Sequence, residues 1–140
     1  MRGKVMHTRL QKVEGIGEVY ADKLHNMGID FDEELLLKGA NPQGRQLIEK
    51  ESGINHRLIL EWINHVDLFR IKGVSEEYAD LLEATGIDSV IELARRTPKP
   101  LYDRLKMINT IRRLVRRLPS LKQVTNWIKQ AKKLPRIIKY

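Results

Sequence analysis

The stretch VEGIGEVYADKLHNMGID, Val13 to Asp30, returns as IKGVSEEYADLLEATGID, Ile71 to Asp88. Aligning residues 13–35 with 71–93 gives 11 identical positions of 23. They are Gly15/Gly73, Glu18/Glu76, Tyr20/Tyr78, Ala21/Ala79, Asp22/Asp80, Leu24/Leu82, Gly28/Gly86, Ile29/Ile87, Asp30/Asp88, Glu34/Glu92 and Leu35/Leu93. A weaker echo places Trp62-Ile63 and Trp127-Ile128 late in each half. A repeat of this kind constrains the fold before any other feature, because both copies must be built on one local plan. Within the turn the first glycine is kept, Ile16 becomes Val74 and Gly17 becomes Ser75.

The plan is helical. Period-two β-branched runs are missing and apolar spacing is helical almost throughout. Each copy reads as a helix ending near Val13 or Ile71, a tight glycine turn, and a helix over about 18–27 or 76–85. Gly28 and Gly86 are placed to end those helices in a left-handed conformation. Asp88 or Ser89 can cap the next helix, and Ser89 with Glu92 has capping-box spacing; Asp30 or Asp32 is expected to do the same in the first half. Further helices are expected over about 43–52, 56–69, 100–107, 110–118 and 121–134. Pro119 separates the last two, Ser120 with Gln123 forms a second capping box, and Asn41-Pro42 and Thr97-Pro98 mark turns. The expectation is an all-α fold of about eight to ten short helices in one compact domain, 1–140, with pseudo-repeat halves of about 1–69 and 70–140.

The GIG turn at 15–17, with Leu10 and Val13 before it and Ala21 and Leu24 after it, resembles the helix-hairpin-helix motif. KGVS at 72–75, with Ala79 and Leu82, resembles it less closely. Over most of the chain, RIKGVSEEYADLLEATGIDSVIELARRTP and RRLPSLKQVTNWIKQAKKL resemble an all-helical family known as domain of unknown function 4332. TGIDSVIELARRTP is also similar to helical domains at the RNA polymerase alpha C-terminus and the recombinase N-terminus. The helix-hairpin-helix resemblance implies a tandem unit whose turn amides at Gly15, Ile16 and Gly17 hold a phosphate without reading bases. It also implies hairpin carbonyls near Gly15 and Gly17 that accept a monovalent cation. Glu18, and Glu76 with Glu77, depart from that pattern: first-turn carboxylates stabilise a helix through its dipole and repel a phosphate at the same spot.

Charge is uneven. Residues 1–94 carry 11 Lys/Arg and 17 Asp/Glu, a net −6, while residues 95–140 carry 15 Lys/Arg and only Asp103, a net +14. Such asymmetry points to a polyanion-facing end on an acidic body. In TIRRLVRRL, Ile111, Leu114, Val115 and Leu118 share a helical face that is expected to be core, with Arg112, Arg113, Arg116 and Arg117 opposite. The final helix is expected to bury Leu121, Val124, Trp127, Ile128 and Ala131 beside Lys122, Lys129, Lys132 and Lys133. Arg95, Arg96 and Lys99 precede this region, and Arg136 and Lys139 follow it. Guanidinium groups bind phosphate bidentately, which makes this face a candidate nucleic-acid surface. The expected partner is nucleic acid, double-stranded DNA first. An acidic protein partner or a homo-oligomer is the alternative, and a membrane surface ranks last.

No chemistry of catalysis is spelled out. Cysteine is absent, which excludes thiol catalysis and Cys-built zinc sites and suits a reducing cytoplasm. His7, His25, His56 and His65 are scattered, the serines sit where caps and turns want them, and no phosphate loop or dinucleotide fingerprint occurs. DFDEE at 30–34 lacks the length and glycine of a calcium loop. A non-enzymatic cytoplasmic protein without cofactor or metal is expected, serving as a sequence-nonspecific nucleic-acid-binding module or, alternatively, as an interaction adaptor or self-assembling module.

Overall fold

A computed structural model describes residues 6–140. The chain is all-α: among the described residues a short 3-10 turn, Leu10–Lys12, precedes eight α-helices, with no strand. These are α1 (Gly17–His25), α2 (Asp32–Lys38), α3 (Pro42–Ser52), α4 (His56–Leu68), α5 (Glu76–Ala84), α6 (Val90–Ala94), α7 (Pro98–Arg112) and α8 (Leu121–Lys133). Among the described residues no helix is long and apolar enough to cross a membrane. The chain divides into two compact units, residues 6–67 with 136–140, and residues 68–135.

In the first unit the chain enters through an isolated bridge between Arg9 and Phe31. The buried Asp32 fixes this entry, its carboxylate accepting from the Thr8 and Glu33 amides at 3.0 and 2.8 Å. Leu10, Val13 and Ile16 are buried and step down the turn, with the Val13 amide donating to Leu10 and the Ile16 amide to Val13. A full helix before Val13 does not form, because three residues of 3-10 turn already bring Leu10 and Val13 into the core. The chain then turns through Gly15 (φ +89°) and Gly17 (φ +67°) into α1. Beyond α1, Gly28 at φ +80° lets the Ile29 amide reach back to Leu24. The side chain of Glu34 accepts from the Asp30 and Phe31 amides at the start of α2, so neither Asp30 nor Asp32 is the cap there. Asn41 caps α3 by accepting from the Gly44 amide at 2.7 Å, with Pro42 in the first turn. α4 buries Ile59, Trp62, Ile63 and Val66.

The second unit repeats several of these contacts. Leu68, Ile71 and Val74 are buried, and the Ile71 and Val74 amides donate to Leu68 and Ile71. Gly73 takes φ +94° and Gly86 φ +93°, with the Ile87 amide reaching back to Leu82. Ser75, by contrast, is extended (φ −86°, ψ 177°), so this turn uses one left-handed residue where the first uses two. Tyr78 packs against Trp127 with ring centroids 5.2 Å apart, as Tyr20 packs against Trp62 at 5.1 Å. Ala21, Ala79, Leu24 and Leu82 are all buried, and both tryptophans with them, while the two tyrosines are half-buried. Ser89 caps α6 and Ser120 caps α8 through the capping box with Gln123, as their spacing predicts. α8 packs on α6 and α7, burying Val124, Trp127, Ile128 and Ala131 at the spacing of one helical face.

Two departures from expectation reshape the basic region. The helices expected over 100–107 and 110–118 are replaced by the single helix α7, which continues to Arg112, and residues 113–120 are not helical. Arg113 takes the left-handed conformation (φ +50°, ψ +48°) and ends the helix. The side chain of Asn109 then pairs with both backbone groups of Val115, accepting from its amide at 3.0 Å and donating to its carbonyl at 3.1 Å. That clip gives the backbone of Val115 hydrogen-bond partners outside a helix, and Pro119 disfavours a helical conformation at Leu118. Val115 and Pro119 are buried, while Ile111, expected in the core, is 73% exposed and Leu121 is 40% exposed.

Candidate nucleic-acid interface

The sequence assigns phosphate binding to two regions, and the structure assigns these to different units. Gly15, Ile16 and Gly17 belong to the first, and Arg95, Arg96, Lys99, Arg112, Arg113, Arg116, Arg117, Lys122, Lys129, Lys132 and Lys133 to the second.

At the first hairpin, Gly15 and Gly17 are exposed while the Ile16 side chain is buried, so Ile16 has only its backbone to offer a ligand. Trp62 lies beneath, its indole Nε1 3.9 Å from where a Cβ on Gly15 would stand. Glu14 and Glu18 are both exposed beside the turn. Next to it lies a cleft of about 440 Å³ with Arg9, Glu18, Asp22, His25 and Asp30 in its walls. The His25 imidazole bonds the Asp30 carboxylate, and that bond, with the carboxylate's charge, lifts the His25 pKa above its ordinary 6.5. At the second hairpin the backbone of Lys72 is already engaged: its amide donates to Gln130 at 2.8 Å and its carbonyl accepts from Gln130 at 3.0 Å. Trp127 Nε1 would stand only 3.1 Å from a Cβ on Gly73. Glu76 and Glu77 stand in the first turn of α5, directly after this glycine.

The basic residues fall into two groups. Arg95 is held by Glu92 at 3.1 Å, and Lys99 by Asp103 at 2.8 Å, with the Lys99 ammonium 5.4 Å from the Tyr102 ring centroid. The bond to Asp103 raises the Lys99 pKa above its ordinary value. Arg96 is half-buried. These three have partners or cover. The others, Arg112, Arg113, Arg116, Arg117, Lys122, Lys129, Lys132 and Lys133, are all exposed. From Arg104 to Tyr140 the chain has 12 Lys/Arg and no Asp/Glu, so none can be neutralised by a neighbour along this stretch. Arg112 is the last residue of α7, and Arg113, Arg116 and Arg117 lie on the irregular loop, so the four arginines do not share a helix face. The loop is nonetheless anchored: at Val115 by Asn109, at its buried Pro119, and at the Arg117 carbonyl, which accepts from the Tyr78 hydroxyl at 3.0 Å.

Two arginines that the sequence does not single out are structural. Arg45 is buried and donates to the carbonyls of Gly39 and Lys139 at 2.8 and 2.9 Å, holding the last residues of the chain in the first unit. Arg70, also buried, donates to the Pro135 carbonyl after α8. The Lys139 carbonyl lies 94 residues from Arg45 and the Pro135 carbonyl 65 residues from Arg70, and no local signal announces either bond.

Residues 14–134 match the family described as Domain of unknown function (DUF4332), and the chain belongs to that family. No curated protein matches the chain. No solved structure matches it.

Proposed function

We propose that this member of the DUF4332 family is a non-enzymatic, sequence-nonspecific nucleic-acid-binding module built as a tandem helix-hairpin-helix repeat. The observation that carries the reading is the acid-free stretch after Asp103, whose eight exposed cations at the end of α7, on the anchored loop and on α8 have no carboxylate within the stretch. Phosphate contacts need exposed cations on an anchored backbone, and they supply affinity without sequence readout. Arg112, Arg113, Arg116, Arg117, Lys122, Lys129, Lys132 and Lys133 carry the binding in this reading, with Arg95, Arg96 and Lys99 at its margin. Hairpin amides at Gly15, Ile16 and Gly17 contribute little, since Glu14 and Glu18 flank them.

A second reading, a protein-interaction adaptor or self-assembling module, is favoured by the carboxylate-bearing cleft of the first unit, which suits a cationic partner segment. A salt titration of duplex DNA binding separates the two. Log affinity should fall by about 0.9 per phosphate neutralised for each unit of log salt. Arg113→Ala with Arg117→Ala should weaken all sequences alike and flatten that slope by about 2. Negligible binding near physiological salt, together with a changed oligomer size in the double variant, would transfer the case to the adaptor.

A further inference from the structure

Two exposed apolar residues of α7 stand inside the basic region. Ile111 is 73% exposed and Met107 is 52% exposed. They lie four residues apart, so they are neighbours on one helix face, at the end of the helix where Arg113 turns the chain away. The opposite face of α7 is already spent on the core through the buried Leu101 and Leu105. Around the pair in sequence come Arg104, Lys106, Arg112, Arg113, Arg116 and Arg117, and the nearest acid, Asp103, is paired with Lys99 at 2.8 Å. Two exposed aliphatic side chains flanked in sequence by cations do not serve solubility. They fit a ligand with an anionic surface and an apolar interior.

Duplex nucleic acid and an anionic bilayer both answer that description, and the shape of the patch favours the duplex. A helix lying in a membrane interface buries an apolar stripe over several turns. Here the stripe is one turn long, because Asp103, Arg104, Lys106 and Thr110 are also exposed on α7. A point rather than a stripe is what base-step insertion needs, since single Ile, Leu or Met side chains suffice to unstack a step and kink a duplex. Single strands are bound differently, by stacking bases on aromatic rings. No aromatic residue lies between Tyr102 and Trp127, and Trp127 is buried.

We infer that Ile111, backed by Met107, is a wedge that inserts between base steps of double-stranded DNA and bends it while the surrounding arginines hold the phosphates. The inference rests on the nucleic-acid reading above and adds to it a bent duplex as the ligand. The arginines set affinity and its salt dependence; the wedge sets the shape of the bound DNA.

The test uses the full chain and a duplex of about 20 base pairs labelled at both ends for energy transfer, with 2-aminopurine reporting unstacking, a bend in the range of about 20–90° being the expectation for a wedge. Wild-type protein should shorten the end-to-end distance and raise 2-aminopurine emission. Ile111→Ser should abolish both and weaken binding about tenfold, with the slope of log affinity against log salt unchanged. Ile111→Leu should retain the bend. Because Ile111 is exposed, circular dichroism and melting temperature should not change in either variant. If wild type binds the duplex without bending it, or Ile111→Ser bends it equally, the wedge is overturned while the charge-based reading stands. If wild type does not bind duplex at all, that reading falls and the wedge with it. If phosphatidylserine vesicles are bound by wild type, lost by Ile111→Ser, and no duplex is bent, the pair belongs to a membrane surface and the wedge is wrong.

Discussion

Replacing Gly73 by alanine, and Gly15 by alanine in a separate variant, asks how the two hairpins differ. Both glycines sit at nearly the same positive φ, +94° and +89°, so each alanine meets a similar backbone penalty of about 1–2 kcal/mol. Alanine also narrows the unfolded ensemble and returns about 0.4–1 kcal/mol in both cases. The side-chain surroundings separate them. At Gly15 the new methyl would lie 3.9 Å from Trp62 Nε1, an ordinary contact. At Gly73 it would lie 3.1 Å from Nε1 of Trp127, an α8 residue that is 2% exposed, so a buried ring must shift to admit it. Overpacking of that kind costs about 1–3 kcal/mol. Gly15→Ala should therefore cost about 1 kcal/mol, and Gly73→Ala about 2–4 kcal/mol, by the sum of these effects. Urea unfolding followed by tryptophan fluorescence measures both. Trp62→Phe and Trp127→Phe backgrounds assign each transition to its unit, and a midpoint shift at constant slope reports stability alone. A Gly73→Ala cost no larger than that of Gly15→Ala would refute the reasoning, because it would mean that the indole does not constrain the turn.

Two other perturbations act on single contacts. Asn109→Ala removes both hydrogen bonds to Val115 and should lower stability by about 1–3 kcal/mol, while Arg113→Gly relieves a left-handed non-glycine residue and should be neutral or stabilising; thermal melts of the two variants check the pair. His25 should titrate above 6.5 in the folded chain because of Asp30, so its contribution to stability is complete below that pH and fades as pH rises through the folded value; Asp30→Asn should return the imidazole toward 6.5 in an NMR titration.

What the sequence announces in this chain is whatever is decided within a few residues. The left-handed Gly15 and Gly73, the serine caps of α6 and α8, the bounds of α3 and α4, and the buried face of α8 from Val124 to Ala131, though not Leu121, all come from spacing and turn chemistry. The basic region is legible as composition but not as shape. The pattern Ile111, Leu114, Val115, Leu118 has helical spacing, yet Arg113 turns left-handed and Asn109 supplies Val115 with the partners that a further turn of helix would have given. Periodicity cannot register a six-residue side-chain clip, nor a non-glycine residue at positive φ. The roles of Arg45 and Arg70 in holding the end of the chain are illegible for a different reason, since the Lys139 and Pro135 carbonyls they bond are distant in sequence. The change from Gly17 to Ser75 has a physical basis in the two turns. The first turn needs a second left-handed residue and Gly17 supplies it at φ +67° in open space, whereas Ser75 is extended and leads directly into α5. The Tyr78 hydroxyl then bonds the Arg117 carbonyl, so a tyrosine present in both copies serves, in the second, to hold the arginine loop. The second turn thus braces the loop through Tyr78, and that role asks nothing of Ser75 beyond an extended backbone leading into α5.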